Sequence, residues 1–315
     1  MKNTLIISTY FNNSHFIELQ QKTFQKFIQD DFDFAVIDDA ADHTQSLLSN
    51  TSARLDTINE CRRLNIRYIE VPQSVHNFVD LGGLVRRDDP HINLNHPTER
   101  HQAVLRFLLN NYKKLGFDQY KTLIMTDADM FFKKPINISE YMEDYDMLGS
   151  WREQATFVPE ENHSDEIVAL GGRHIKFFTL CLLFINMEKL KDCLGELDNR
   201  SYIRVTDTGG RTHRFIEKHP EFKFGFLKDF NSSDYRVDFF SKTTTIQDDA
   251  EIIHYRAGSN WSIENMIYYK AKLNNMLKRF LPDFVDNNSI SVDATSANKE
   301  HTIKADGTII SKYGL

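Results

Sequence analysis

The sequence predicts an α/β fold in which helices cover a mostly parallel β-sheet. Short apolar runs alternate with amphipathic segments through the first third of the chain, as they do in proteins with parallel sheets. Acidic residues follow directly after two of these runs, where open α/β sheets bind their ligands. The length of 315 residues suits one large domain of this class or two small ones.

Each predicted strand is an apolar run too short to be a buried helix. The first run is Thr4–Thr9, and it is followed along the chain by Phe34–Asp38, Ile66–Val71 and Thr122–Thr126. Further strands are predicted at Asp146–Ser150, Leu180–Asn186 and Glu251–Tyr255.

The predicted helices have apolar residues at helical spacing behind a residue that can cap the first turn. They are predicted to begin at Ser14, at Thr51 or Ser52, at Thr98 and at Ser262. The helix that begins at Ser14 is expected to extend to about Gln29, and Gly116 is expected to stop the third helix. On the last helix, Lys270, Lys272, Lys278 and Arg279 are interpreted as a solvated face above a core helix rather than as a membrane-binding surface.

A change of composition near residue 285 divides the chain into a domain of residues 1–285 and a tail of residues 286–315. The tail is polar, and the segment His301–Ile310 carries Asp306-Gly307 between alternating residues, which indicates a β-hairpin. This small C-terminal appendage could pair between subunits, so a homo-oligomer is possible.

Composition and charge exclude several classes of function. The net charge is −7 and no long basic run is present, which argues against a nucleic-acid partner. No segment approaches the roughly 20 apolar residues of a membrane span, and the first apolar run is too short for a secretory signal. The spacing of the three cysteines fits no zinc or redox motif, so we expect reduced thiols and a cytoplasmic protein.

The strongest candidate for chemistry is the pair Asp127 and Asp129, at the end of the fourth predicted strand. Two carboxylates at this spacing are costly to desolvate unless a cation compensates them. A hard divalent ion would do so and would also bridge a diphosphate. The same spacing recurs at 31–33 and 144–146, but only the pair at 127–129 follows an apolar strand directly. The alternative is a capping or turn role.

His254 is the second candidate because it lies at the end of the apolar run before Tyr255. Imidazole is a better ligand for Mn²⁺ than for Mg²⁺. Arg256, two residues further on, is a natural partner for a diphosphate. The alternative for His254 is a hydrogen-bonded histidine of the core.

Taken in order, these segments resemble the GT-A class of glycosyltransferases, especially its family-2-like members. The resemblance is carried by Leu5–Phe11 (LIISTYF), Ile37-Asp38-Asp39, Asp127-Ala128-Asp129, and the stretch from His254 to Trp261. It covers roughly residues 4 to 262, and it depends on the order and spacing of the motifs rather than on any single one.

The resemblance implies a role for each motif. Thr9 and Tyr10 would belong to the start of the nucleotide site, and Asp38 and Asp39 would contact base and ribose. His101, after Arg100, is similar to a helix start near the donor in some members. Asp127, Asp129 and His254 would hold the metal, with Asp127 also close to the donor.

The implied activity is the metal-dependent transfer of a sugar from a nucleotide diphosphate-sugar to a hydroxyl of a carbohydrate or glycoconjugate acceptor. The ion would be Mn²⁺ or Mg²⁺, and uridine diphosphate is the commonest nucleotide in this class.

Asp207 is the candidate general base, and a base opposite the leaving group would invert the configuration. It lies in Val205–Gly210. Family-2-like inverting members often carry a Glu-Asp pair near the acceptor, and here threonine stands in the place of that glutamate. The alternatives are a turn aspartate, a base at Asp165 or Glu166, or a retaining reaction.

Two other functions compete with sugar transfer. A nucleotidyltransferase usually has a glycine-rich, basic segment after its first strand, and Tyr10–Asn13 has neither glycine nor a basic residue. A non-catalytic carbohydrate- or nucleotide-binding protein is the other possibility, and the intact carboxylate pair and His254 argue against it.

Overall fold

The structure is a computed structural model that describes residues 2–11, 13–40, 44–47, 49–77, 97–155, 172–201, 208–227, 229–230, 245–247, 252–255, 266–285, 301–303 and 309–311. Its strands are β1 (Lys2–Tyr10), β2 (Phe32–Asp38), β3 (Arg67–Ile69), β4 (Tyr120–Asp127), β5 (Met130–Phe132), β6 (Met147–Ala155), β7 (His174–Asn186), β8 (Phe224–Leu227), β9 (Asp229–Phe230), β10 (Thr245–Gln247), β11 (Ile252–His254), β12 (His301–Ile303) and β13 (Ile309–Ser311). Its α-helices are α1 (Ile17–Phe27), α2 (Ala53–Arg63), α3 (Gln73–Asn77), α4 (Pro97–Asn111), α5 (Ile138–Tyr141), α6 (Met187–Leu190), α7 (Thr212–Lys218) and α8 (Met266–Phe280).

The main sheet has seven strands in the order β3-β2-β1-β4-β7-β6-β8. Strand β7 is antiparallel to both of its neighbours, whereas the other neighbouring strands pair in parallel. This arrangement confirms the predicted α/β class with a mostly parallel sheet flanked by helices. In the parallel pairing, Thr9 lies level with Ile37 on one side and with Asp127 on the other, so the carboxyl ends of β1, β2 and β4 share one edge.

The central strands are buried on both faces, which explains their nearly continuous apolar sequences. Leu5 and Ile7 pack into one core cluster together with α4, and Ile6 packs into a second cluster together with Phe24 of α1. The alternation follows from the period of two residues in a strand. The helices therefore hold the sheet from both sides and leave its carboxyl edge for polar residues.

Strand β7 is much longer than the predicted run Leu180–Asn186. Its first half alternates between exposed and buried positions, with Ile175 and Phe177 inside, and it pairs with the second half of β6. This half was not predicted because its sequence alternates between polar and apolar residues and does not form a continuous apolar run.

The helix starts agree in part with the predictions. Ser52 caps α2, since its side chain accepts a hydrogen bond from the backbone N–H of Leu55. Ser14 does not act as a side-chain cap: α1 begins at Ile17, and Phe16 occupies the cap position. Helix α4 ends at Asn111, five residues before the predicted stop at Gly116. Gly116 has a φ of +72°, the left-handed conformation that favours glycine, and it precedes a short 3₁₀ helix at Phe117–Gln119. Ser262 lies outside the described residues.

A second sheet of four strands, in the order β5-β11-β10-β9, is antiparallel throughout. Strand β5 begins just after the turn that follows β4, so this sheet adjoins the carboxyl edge of the main sheet. His254 of β11 lies opposite Met130 of β5.

Helix α8 packs against this region rather than presenting all of its lysines to solvent. Lys272 is only 1% exposed, and its Nζ lies 3.8 Å from the centre of the Tyr255 ring. The predicted solvated face is therefore wrong for Lys272, whose ammonium lies over an aromatic ring, a favourable site for a cation. Lys278 and Arg279 are exposed, as predicted.

In the tail, β12 and β13 form the predicted antiparallel pair, in which Thr302 lies opposite Ile310. The turn between them lies outside the described residues, and the division of the chain at residue 285 stays a prediction. None of the helices in the described ranges combines the length and apolar character that crossing a bilayer requires.

Candidate metal centre

Asp127, Asp129 and His254 meet at the carboxyl edge of the main sheet. Each offers one ligand atom, and these atoms lie within 4.8 Å of one another. His254 Nε2 is 3.2 Å from Asp129 Oδ1. The Asp129 side chain is 8% exposed and that of Asp127 is 28% exposed, so the group faces a partly open surface. It is the one such cluster in the part of the chain that the structure describes.

The second sheet is what brings His254 to the carboxylates. The pairing of β11 with β5 places His254 opposite Met130, directly after Asp129. The backbone N–H of Tyr255 donates to the carbonyl of Asp129 over 2.9 Å. Beneath this contact, the ring of Phe16 meets the Tyr255 ring edge-on, at 5.3 Å between centroids. The third side chain of the cluster is therefore held by backbone pairing and by aromatic packing.

A buried glutamine of α1 holds the turn that carries the carboxylates. Gln20 Nε2 donates to the carbonyl of Asp127 at 2.8 Å and to that of Met130 at 2.9 Å. The hydroxyl of Tyr10 lies 2.7 Å from Gln20 Oε1. Tyr10, predicted as part of the nucleotide site, is 1% exposed, and its side chain points into this interior network.

Asp38 also belongs to the interior. Its side chain is fully buried; Oδ1 accepts a hydrogen bond from the Ala40 N–H at 2.6 Å, and Oδ2 accepts one from the Tyr68 hydroxyl at 3.2 Å. Arg54 Nε lies 3.4 Å from Oδ2. Burial raises the pKa of Asp38 to about 6, although these partners oppose the shift. Asp38 thus anchors the segment that follows β2.

Asp39, the next residue, lies closer to the carboxylate pair. It is 4% exposed, and its backbone N–H donates to the carbonyl of Tyr10 at 2.6 Å. Its Oδ1 has no hydrogen-bond partner among the described residues. Burial raises the pKa of Asp39 well above its usual range, the charge of Arg100 lowers it, and the neighbouring charge of Asp127 raises it.

Helix α4 closes the other side of this edge. His101 Nε2 is 3.7 Å from Asp127 Oδ1, so the predicted donor-side histidine does adjoin the carboxylate pair. The guanidinium carbon of Arg100 lies 3.7 Å from the centre of the Phe11 ring, which places a cation on an aromatic face next to Asp39.

The structure describes some of the other predicted site residues and not all. Thr9 is 8% exposed at the end of β1, beside Asp127. Arg256, Asp207, Asp165 and Glu166 lie outside the described residues, although the segment directly after Asp207 is described, and Gly209 there has a φ of +91°.

Sequence analysis missed two residues of this region, Gln20 and His15. Burial lowers the pKa of His15 to about 3, and the charge of Asp129 opposes this shift. Neither residue is part of a motif, and each lies in or before a helix whose pattern indicates only an amphipathic element. Their proximity to the carboxylates arises from the packing of α1 on the turn.

The chemistry of the donor set fits a divalent cation. Carboxylate oxygens suit Mg²⁺ and Mn²⁺, and an added imidazole is typical of transition metals. Two carboxylates this close repel each other in a site that is partly shielded from water, and a cation between them removes that cost. Asp127, Asp129 and His254 therefore offer a set of ligand atoms that suits a divalent cation.

The fold is similar to those of solved glycosyltransferases. The galactosyltransferase LgtC, in complex with donor and acceptor sugar analogs, is 13% identical over 71% of this chain and 73% of its own, with a TM-score of 0.36. Mouse xyloside xylosyltransferase 1 is 12% identical over 79% of this chain and 93% of its own, with a TM-score of 0.38. The mannosyltransferase Ktr4p from S. cerevisiae is 10% identical over 62% of this chain and 60% of its own, with a TM-score of 0.39.

Neither a protein-family model nor a curated protein sequence matches this chain. Because the sequence identities to the solved structures are low, the similarity to them is one of fold alone. The function of this chain therefore has to be inferred from its own residues.

Proposed function

We propose that this protein is a metal-dependent glycosyltransferase that moves a sugar from a nucleotide diphosphate-sugar to an acceptor hydroxyl. The observation that carries the proposal is the grouping of Asp127, Asp129 and His254 within 4.8 Å at the carboxyl edge of the main sheet. Ligands of α/β proteins bind at this edge, and a diphosphate needs a counter-charge that a protein of net charge −7 does not supply in bulk.

In this proposal Asp127, Asp129 and His254 hold Mn²⁺ or Mg²⁺. When bound, the ion neutralises the diphosphate and stabilises it as a leaving group. We assign Arg256 to the diphosphate as a further positive charge. The nucleoside lies along Thr9 and Asp39. Asp39 is the better placed of the two adjacent aspartates, because the carboxylate oxygens of Asp38 already bind interior groups.

The transfer step needs a base for the acceptor hydroxyl, and we assign that role to Asp207. As the acceptor oxygen bonds to the anomeric carbon, the bond from that carbon to the diphosphate breaks and the hydroxyl proton passes to Asp207. Attack from the face opposite the diphosphate inverts the configuration through an oxocarbenium-like transition state. The acceptor is a carbohydrate or glycoconjugate, and uridine diphosphate is the first nucleotide to test.

The first experiment is a hydrolysis panel of nucleotide sugars with Mn²⁺, with and without a chelator. We expect Asp129→Ala to abolish metal-dependent turnover because it removes a ligand of the ion. Asp31→Ala is the matched control, since Asp31 belongs to the same Asp-x-Asp pattern at an exposed position away from the cluster. Near-normal turnover by Asp129→Ala would remove the metal assignment, and metal-dependent binding of the donor without any turnover would favour a non-catalytic binding protein.

The second experiment tests Asp207. Asp207→Asn should lower the transfer rate at least about a hundredfold if this carboxylate is the general base. The anomeric configuration of the wild-type product, followed by NMR, should be opposite to that of the donor. A small effect of the substitution together with retained configuration would assign the chain to a retaining reaction.

A further inference from the structure

Gln20 spans the turn that carries the carboxylate pair. Its Nε2 reaches the carbonyl of Asp127 at 2.8 Å and the carbonyl of Met130 at 2.9 Å. These two carbonyls stand before and after the Ala128-Asp129 segment. One side chain of α1 therefore closes the loop in which Asp129 lies, and Gln20 itself is fully buried.

The hydrogen-bonding chemistry fixes the orientation of this amide. Backbone carbonyls only accept, so both must face the NH₂ group of Gln20, which supplies two donors. Its Oε1 then faces the Tyr10 hydroxyl at 2.7 Å, and the hydroxyl is the donor. The opposite orientation would place Oε1 against two carbonyl oxygens. The two carbonyls thus fix the amide orientation, and the Tyr10 hydroxyl stabilises it by donating to Oε1.

The same turn is held from a second direction. The carbonyl of Asp129 accepts a hydrogen bond from the backbone of Tyr255, the neighbour of His254. Gln20 therefore holds the carbonyls of Asp127 and Met130, and the backbone N–H of Tyr255 holds the carbonyl of Asp129 between them. The direction in which the two carboxylates point thus depends on these backbone bonds, because side chains follow the backbone that bears them.

We infer that Gln20, whose amide oxygen is held by Tyr10, is a positioning residue that sets the Asp127 and Asp129 carboxylates in the geometry needed to bind the metal. The inference rests on the proposed function, because it assigns the metal to this pair. Gln20 does not touch the ion, and its effect passes through the backbone of the turn. Losing such an outer partner typically costs about 10–100-fold in metal affinity.

A glutamine that only stabilised the fold would behave differently. Its replacement would lower the melting temperature, while the folded fraction would still bind metal with wild-type affinity. Metal affinity measured well below the melting transition therefore separates positioning from stability.

The test compares three variants in the full chain. Gln20→Met keeps the length of the side chain and removes both donors, and Tyr10→Phe removes only the hydroxyl that donates to the amide oxygen. Gln21→Met is the matched control, because Gln21 is the next residue of α1 and donates to the carbonyl of Leu64, away from the turn. Free Mn²⁺ is followed by its EPR signal as each protein is titrated, and melting is recorded in parallel without metal.

We expect Gln20→Met to weaken Mn²⁺ binding about 10–100-fold, Tyr10→Phe to weaken it less, and Gln21→Met to leave it unchanged. Wild-type affinity in folded Gln20→Met would overturn the inference. If Gln20→Met does not fold, Tyr10→Phe decides, and unchanged affinity in that variant overturns it as well. If the wild-type protein binds no Mn²⁺, the metal assignment of the proposed function fails first, before any variant is compared.

Discussion

Replacing Asp38 by asparagine should change how the stability of this protein depends on pH. Asp38 is fully buried, and burial raises its pKa to about 6 from the ordinary 3.8, even with Arg54, Tyr68 and the Ala40 N–H as partners. The folded protein therefore binds the Asp38 proton more tightly than the unfolded chain does. Asparagine keeps the shape of the side chain and does not titrate.

The direction and the size of the change in unfolding free energy with pH follow from this pKa shift. A group with a raised pKa in the folded state contributes stability that is fully present below the unfolded pKa of 3.8 and is lost as the pH rises through about 6. Two pKa units correspond to about 3 kcal/mol. Relative to Asp38→Asn, the wild-type protein should thus lose about 2.5 kcal/mol of unfolding free energy between pH 4 and pH 7, because the carboxyl of the unfolded chain is already partly ionised at pH 4.

The measurement is reversible urea unfolding of both proteins across this pH range, read as the difference in unfolding free energy. Other titrating groups act in both proteins and cancel in the difference. The pairing of ionised Asp38 with Arg54 is already contained in the pKa of Asp38, and the exchange of a carboxyl oxygen for an NH₂ group adds an offset that does not change with pH. Asp144→Asn, at an exposed turn position, serves as the control. A constant difference between wild type and Asp38→Asn from pH 4 to pH 7 would refute the reasoning.

Two further substitutions probe the fold at the two ends of α7. His219 is hydrogen-bonded to Glu221, and this bond is the main cause of its raised pKa. The stabilisation is fully present below the ordinary pKa of 6.5 and is lost as the pH rises through the raised pKa of the folded protein. His219→Gln should therefore lower the urea midpoint more at acidic than at alkaline pH, and equal losses at the two pH values would contradict this. Gly209 has a φ of +91°, and an added Cβ would lie 2.1 Å from the carbonyl oxygen of Phe178. Gly209→Ala should therefore lower the unfolding free energy, measured in urea, by about 2 kcal/mol or more. Gly195→Ala is the control and should cost much less, because a Cβ at that position meets nothing within 4 Å.

The main sheet could be predicted because its strands are buried on both faces. Runs such as Leu5–Ile7 carry that burial in their composition, and the residues that end them placed the carboxylates at the right edge. The strand ends were less predictable. Strand β4 begins at Tyr120, whose place is set by its pairing with Lys2 across the sheet. A pairing of this kind does not appear in the local sequence.

Only the residues of the candidate site whose side-chain type is typical of metal ligands could be predicted from the sequence. Asp127, Asp129 and His254 are chemically conspicuous, and the structure brings them together. Strand β5 is three residues long, and its pairing with β11 depends on a distant part of the chain. Gln20 is equally inconspicuous, because its partners are backbone carbonyls that lie far from it in sequence. Contacts made by backbone groups leave no signature in the identity of the residues that supply them.

The pairing of β11 with β5 also has a consequence for biosynthesis. On the ribosome, Asp127 and Asp129 emerge long before His254 is made, because the chain is synthesised from its N-terminus. A chain interrupted before β11 would carry two carboxylates and lack the imidazole. The proposed metal site is therefore completed late in synthesis, after β11 has been made and has paired with β5.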